Sequence, residues 1–253
     1  MALLEMRKIS KYFSGLAVIS QLDLDVFNSE ILGIIGPNGA GKTTLLNVIA
    51  GFFPPTGGKV IFNGEDITGL RADQIARKGI GRTFQLPTLF MESTVFDNVF
   101  AAFHMHYREP GWKAFLHTPS VAKEEAIARQ NTMQILDFMG LASQKDKLAG
   151  NLSSGYRKAL AISIAFATNP KLLLLDEPVT TLSPDKVEMV MNLVTRVRDA
   201  GTAVVIVEHN MKAIMDYCDR IVVLAYGKKI AEGSPQEIRE NQEVIEAYLG
   251  AMG

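Results

Sequence analysis

The chain has one cysteine and one tryptophan in 253 residues, and no surplus of either charge. A lone Cys218 cannot form an internal disulfide, which suits a reducing cytosol. It is expected to be a buried or half-buried small residue and not a nucleophile. Lys and Arg number 26 against 27 Asp and Glu, a formal net charge of −1. That balance carries no electrostatic footprint for general nucleic-acid binding. No apolar run approaches the roughly 18 residues that spanning a bilayer needs. The opening Met-Ala-Leu-Leu-Glu-Met-Arg-Lys has neither an h-region nor a cleavage site, so no signal peptide is expected. There is no internal repeat and no sustained heptad pattern. These absences lead to the expectation of a soluble cytoplasmic protein that remains free to dock on a membrane protein. The length allows a full core and is near the upper size for one domain, so one α/β body with a sizeable insertion is expected.

What is present is organised around residues 36–44, Gly-Pro-Asn-Gly-Ala-Gly-Lys-Thr-Thr. They follow the apolar run Ile31-Leu32-Gly33-Ile34-Ile35 and open onto Leu45, Leu46, Val48 and Ile49, an order that reads as buried strand, glycine-rich turn and amphipathic helix. The spacing is that of a P-loop. Its glycines let consecutive N–H groups converge on phosphate oxygens, and the helix start adds its positive end. Lys42 can reach the β- and γ-phosphates, and the Thr43 hydroxyl suits Mg²⁺. A glycine-rich turn that binds nothing is the bland alternative, and the complete pattern in its strand–helix setting weighs against it.

A second signal is Leu172-Leu173-Leu174-Leu175-Asp176-Glu177, after a helix stop at Asn169-Pro170. A strand apolar at every position is buried on both faces, as in a parallel sheet. Two carboxylates at its end are hard to explain as solubility devices. Asp176 suits the hydration shell of Mg²⁺ held with Thr43, and Glu177 is placed to polarise an attacking water. Residues 202–207 form another buried strand, ending in Glu208-His209-Asn210. A lone histidine is more often structural. At the strand end where a phosphate site would sit, His209 reads as a γ-phosphate contact.

The remaining stretches are less specific. Residues 3–9 and 22–26 have strand character, with Tyr12 and Phe13 between them; either aromatic could stack on a base or simply pack in a hairpin. Residues 54–58 form a turn cluster, 59–64 a strand and 66–78 a short helix; 79–84 return as a strand ending on Gln85. From 88 to 152 helical periodicity takes over: Val95, Val99 and Phe103 keep one face, and Ile127, Ile135, Leu136 and Met139 another. His104, His106, Trp112 and His117 fall in a loop without a metal-ligand pattern, where ordinary exposed packing is the favoured reading. Ser153 or Ser154 is placed to cap a helix over 157–167, which would offer a second helix N-terminus to an anion. Residues 220–231 read as a hairpin turning at Tyr226-Gly227, and 235–240 and 243–249 as terminal helices.

Together these residues resemble the ATP-binding subunits of ABC transporters over essentially the whole chain, in order. "GPNGAGKTT" is similar to the Walker A motif, "LLLLDE" to Walker B with its glutamate, and Gln85 in "RTFQ" to the Q-loop. "NLSSGYRKAL" is similar to the signature segment, "TTLSPD" to the D-loop, and His209 in "VEHNM" to the switch histidine. The segments "GIGRTFQLPTLFMESTVFDNV" and "GSPQEIRENQEVIEAYLG" further resemble the subfamily serving branched-chain amino acid uptake. The resemblance implies an α/β P-loop NTPase (RecA-like) core over about 1–87 and 165–253, with an N-terminal antiparallel β subdomain and an inserted α-helical subdomain over about 88–164. It implies ATP and Mg²⁺ as ligands, with Glu177, His209 and Lys42 catalytic. Phe13, Asn38, Gly39, Ala40, Gly41, Lys42, Thr43, Thr44 and Gln85 would bind nucleotide, as would Ser153, Ser154 and Gly155 across a head-to-tail pair. Thr43, Gln85 and Asp176 would serve the metal. The implied partners are two permease subunits, a second ATP-binding subunit or second copy, and indirectly a substrate-binding protein, at the cytoplasmic face of the membrane.

The sequence departs from the family in its signature, at Ser154, Tyr156, Ala161 and Ile164, and at Ser183 in the D-loop. An asymmetric pair of sites is therefore expected, the weaker one using this chain's signature. Two other classes fit the chain less well. An ABC ATPase acting on nucleic acid or the ribosome would bring a second cassette, coiled coils or basic patches. A small-molecule kinase would not need residues 153–155.

Overall fold

The computed structural model describes residues 1–83, 89–103 and 119–249. Gln85, His104, His106, Trp112 and His117 lie outside them. The chain divides into two compact units, residues 1–85 with 170–253 and residues 86–169, each described by itself.

The first unit opens with β1 (Leu4–Phe13) and β2 (Leu16–Val26), antiparallel and joined at Ser14-Gly15. Both strands run longer than the two short patterns expected. Irregularities in register interrupt their alternation, with Lys8 and Gln21 at positive φ, so the hydrophobic period is legible only in pieces. Next come β3 (Ile31–Ile35), α1 (Lys42–Ile49), β4 (Gly57–Phe62) and the two-residue β5 (Glu65–Asp66). The helix expected over 66–78 is only α2 (Ala72–Arg77). Asp66 instead bends the chain, its carboxylate accepting from the Thr68 N–H at 2.9 Å, and Gly69 takes a left-handed φ of 73°. β6 (Ile80–Arg82) follows.

The second unit is helical. α3 (Val95–Phe103) buries Val95, Asn98, Val99 and Ala102. Its start is held by Thr94, whose hydroxyl accepts from the Asp97 N–H at 3.0 Å. α4 (Pro119–Phe138) keeps part of the expected face: Leu136, and Met139 just beyond the helix, are buried and Ile135 half-buried, but Ile127 is exposed, and Ala128, Thr132 and Leu136 recur every four residues as the buried stripe. Thr132 can lie in that stripe because its hydroxyl donates to the Ala128 carbonyl at 2.8 Å. α5 (Ser154–Ala167) starts three residues earlier than expected and stacks Phe166 on Phe138 at 5.4 Å.

Back in the first unit, β7 (Leu172–Asp176), α6 (Pro184–Asp199), β8 (Ala203–Val207), α7 (Met211–Tyr217), β9 (Arg220–Ala225), β10 (Lys228–Gly233), α8 (Pro235–Glu240) and α9 (Gln242–Leu249) complete the chain. The unit holds two sheets. One is antiparallel, in the order β2-β1-β4-β5. The other runs β10-β9-β3-β8-β7-β6, with β9, β3, β8, β7 and β6 parallel and β10 antiparallel at its edge. Every residue of β3, β7 and β8 is buried, as their unbroken apolar runs require. The inner faces of both sheets and α1, through Leu45, Leu46, Val48 and Ile49, share one core. Gly33 in β3 admits Cys218: a Cβ there would meet its Sγ at 2.9 Å. Cys218 is accordingly buried, and burial pushes its thiol up to about 12, which removes it from nucleophilic chemistry at neutral pH. No helix among the described residues is long and apolar enough to cross a membrane.

Candidate functional site

Parallel pairing sets the C-terminal ends of β3, β7 and β8 along one edge of the sheet, where the loops that follow carry chemistry. From β3 the chain enters residues 36–41. Gly36 has φ +149°, and a Cβ there would stand 2.0 Å from the Leu224 carbonyl oxygen, so no side chain fits. Gly41 is the α1 N-cap with φ 98°; no side chain caps that end, which leaves the first-turn N–H groups to a ligand or water. Asn38 and Gly39 are exposed, Ala40 is buried, Thr43 is exposed and Thr44 is half-buried. Lys42 is buried and curls back, its Nζ donating to the carbonyls of Gly36 at 2.7 Å and Pro37 at 3.0 Å. Desolvation lowers its pKa, against the opposing pull of Glu177 and then Asp176. The parallel pairing of β3, β8 and β7 brings Lys42, shortly after β3, and both carboxylates, at the end of β7, to the same edge of the sheet.

From β7 come Asp176, buried, and Glu177, partly so. The Arg82 guanidinium meets Asp176 Oδ2 at 3.2 Å. Glu177 has φ 51°, an uncommon conformation for a residue with a side chain, and its N–H donates to the Val207 carbonyl at 2.8 Å. Its Oε1 stands 3.2 Å from His209 Nε2, and its Oε2 accepts from the Thr180 hydroxyl at 3.3 Å. Thus Lys42, Asp176, Glu177 and His209, separated by up to 167 positions, converge at one sheet edge. His209 keeps 43% of its side chain exposed, open to a ligand, against 17% for Glu177.

Three further residues escaped the sequence reading. Glu208 is 1% exposed, and its carboxylate takes four donors: the Val179 N–H at 2.8 Å and the Thr180 hydroxyl at 3.3 Å on Oε1, and the N–H groups of His209 at 2.8 Å and Asn210 at 3.1 Å on Oε2. It ties the loop after Glu177 to the loop carrying His209. The signal was an acid closing the apolar run of residues 203–207. Arg82, in "RTFQ", carries no such signal, because an arginine at the end of a short strand is ordinarily a solvated charge. On α9, burial raises the Tyr248 phenol above the ordinary value, against a smaller opposing influence of the Gly36 backbone.

Phe13, at the end of β1, is 38% exposed. Its ring meets Phe53 edge-on at 5.3 Å, and Lys11 Nζ lies 4.9 Å from its centroid. In the second unit Ser153 occupies the N-cap position of α5, but its hydroxyl makes no capping bond; Ser153 and Ser154 are exposed and Gly155 is buried. Ser183 is the N-cap of α6 and donates to Asp185. The Thr43 hydroxyl and Asp176 carboxylate are hard oxygen donors, too few for an all-protein cage, and they fit Mg²⁺, which keeps water and phosphate oxygens in its shell. Among the described residues no group of three or more His, Cys, Asp or Glu is arranged to hold a metal.

Comparison with known proteins gives a concordant picture. The ABC transporter family model matches residues 19–180, and a model described as branched-chain amino acid ATP-binding cassette transporter matches residues 228–252. The high-affinity branched-chain amino acid transport ATP-binding protein LivG of Escherichia coli (strain K12) is 37% identical over 249 residues, 98% of this chain and 98% of that protein. Its counterpart BraF of Pseudomonas aeruginosa is equally similar, at 37% over the same shares. Among solved structures, the ADP conformation of an ATP-binding cassette of an ABC transporter aligns with a TM-score of 0.86 and 32% identity, covering 99% of both chains.

Proposed function

The chain belongs to the ABC transporter family, and from that premise we propose that it binds and hydrolyses ATP to drive branched-chain amino acid import through partner permeases. The observation that carries the reading is the convergence of Lys42, Asp176, Glu177 and His209 beside the uncapped N-terminus of α1. Backbone N–H groups of the loop after Pro37 and of the first turn of α1 cradle the β- and γ-phosphates. Lys42 exchanges the Gly36 and Pro37 carbonyls for phosphate oxygens, partners that restore full compensation to its buried charge. Glu177 orients and polarises the attacking water, and His209, held by Glu177 on one side, contacts the γ-phosphate. Thr43 and Asp176, with Gln85, hold Mg²⁺, which when bound neutralises developing charge on the phosphate oxygens. Phe13 offers the adenine an aromatic surface.

The signature residues Ser153, Ser154 and Gly155 act on the nucleotide of a second cassette, closing a head-to-tail pair in which the α5 N-terminus faces the γ-phosphate. The motif departures at Ser154, Tyr156 and Ser183 leave the P-loop, Asp176, Glu177 and His209 untouched, so the site built with this chain's signature is the weaker of the two. The LivG and BraF relatives, ATP-binding proteins of high-affinity branched-chain amino acid transport, support the solute class, and the match over residues 228–252 supports the subfamily.

Glu177→Gln tests the reading. Replacing the base should lower ATP turnover by about 10³-fold, within the range general-base catalysis supplies, while ATP binding persists. Turnover within a few-fold of the parent would overturn the assignment of Glu177. The solution mass of the same variant with ATP and Mg²⁺ tests the pairing: a dimer appearing only with nucleotide supports a sandwich of two copies, whereas a persistent monomer points to a distinct second cassette.

A further inference from the structure

Arg82 sits where three elements of the nucleotide site meet. Its backbone ends β6, paired in register with Leu174 of β7, two residues before Asp176. Its side chain is only 7% exposed, and that of Asp176 only 3%. Nη1 donates to the side-chain oxygen of Asn47 on α1 at 2.6 Å, and Nη2 donates to Asp176 Oδ2 at 3.2 Å. The Phe52 ring lies 5.3 Å from the guanidinium carbon. One planar cation thus spans the helix that follows the P-loop and the strand that ends in the metal-binding aspartate. A planar fork suits that task, since it reaches two acceptors in fixed directions and an ammonium does not.

Two buried charges are stable together only when paired and hydrogen-bonded, so the Asp176 carboxylate is turned toward Arg82 through Oδ2. We propose that Arg82 is a positioning residue for Mg²⁺. By engaging one carboxylate oxygen and anchoring on Asn47, it orients Asp176 so that the group would be presented to the metal shell. The group that orients a ligand is in general worth about 10- to 100-fold in metal affinity.

The inference rests on the nucleotide-binding reading above, and the test separates the two. Binding of a fluorescent ATP analogue is measured by titration for parent and Arg82→Met, in EDTA and across a Mg²⁺ series. Arg82→Met should raise the half-saturating Mg²⁺ concentration roughly tenfold. Binding in EDTA should stay within a factor of about two, because the P-loop cradle is unchanged. Arg82→Lys should recover part of the shift, keeping the charge without the fork. An unchanged Mg²⁺ midpoint, or equal weakening in EDTA and in Mg²⁺, would overturn the role of Arg82. Failure of the parent to bind in EDTA and in Mg²⁺ alike would instead strike at the nucleotide-binding reading. Should Arg82→Met not fold with a buried carboxylate uncompensated, the neutral pair Arg82→Met/Asp176→Asn is compared with Asp176→Asn alone. If Arg82 acts through Asp176, the two share one Mg²⁺ midpoint; a further shift in the double variant refutes the proposal.

Discussion

Glu208 is the residue whose replacement should expose how the two loops of the site are held. Its two oxygens serve different loops, Oε1 taking Val179 and Thr180 and Oε2 taking His209 and Asn210. Glutamine keeps the shape but supplies one acceptor oxygen and one NH₂. The less costly orientation turns the NH₂ toward Thr180, whose hydroxyl can rotate to accept. The Val179 N–H, buried, then loses its acceptor, while His209 and Asn210 keep theirs. One orphaned buried N–H and the loss of the charge-assisted bonds cost about 2 kcal/mol. At about 2–4 °C per kcal/mol for a chain of this size, Glu208→Gln should lower Tm by about 4–8 °C. Glu208→Leu takes the acceptor from three N–H groups, those of Val179, His209 and Asn210, while the Thr180 hydroxyl keeps Glu177; it should cost at least twice as much, and it should depress ATP turnover well beyond the loss in Glu208→Gln because the His209 loop is released. Thermal unfolding followed by circular dichroism and a phosphate-release assay read both effects. Equal Tm values for the two variants, or a Glu208→Gln protein within about 1 °C of the parent, would refute this account of the carboxylate.

Two further predictions concern single positions. Gly36→Ala places a methyl 2.0 Å from the Leu224 carbonyl at a φ that side chains avoid, so the loop must shift; ATP-analogue affinity should fall at least about tenfold, and a parent-like Kd would show that the loop tolerates the atom. Cys218 should resist a thiol reagent at pH 8 in the native protein and react readily in denaturant. Its folded value of about 12 exceeds the ordinary 9.0, so the folded state holds the proton more tightly. The associated stability is present below about pH 9 and is lost as pH rises toward 12, a decline that Cys218→Ser should reduce in a pH series of chemical denaturation.

The parts of this protein governed by local order were legible in the chain. The P-loop, the strands over 172–176 and 203–207 and the terminal helices follow from contiguous patterns, because a both-faces-buried strand must be apolar throughout and a phosphate cradle must have its glycines at fixed offsets. Lys42, Asp176, Glu177 and His209 could be named for the same reason, since each closes or follows such a pattern. Ile127 was misassigned because α4 is weakly amphipathic and a threonine, satisfied by its own helix, takes a core position that a hydrophobic count overlooks. Tertiary structure alone decided the partners. Arg82 meets Asn47 and Asp176 from 35 and 94 positions away, and Glu208 reaches Val179 across 29. Such contacts follow from the parallel sheet aligning its strand ends, and buried charges then select partners by distance and geometry, which no spacing along the chain encodes.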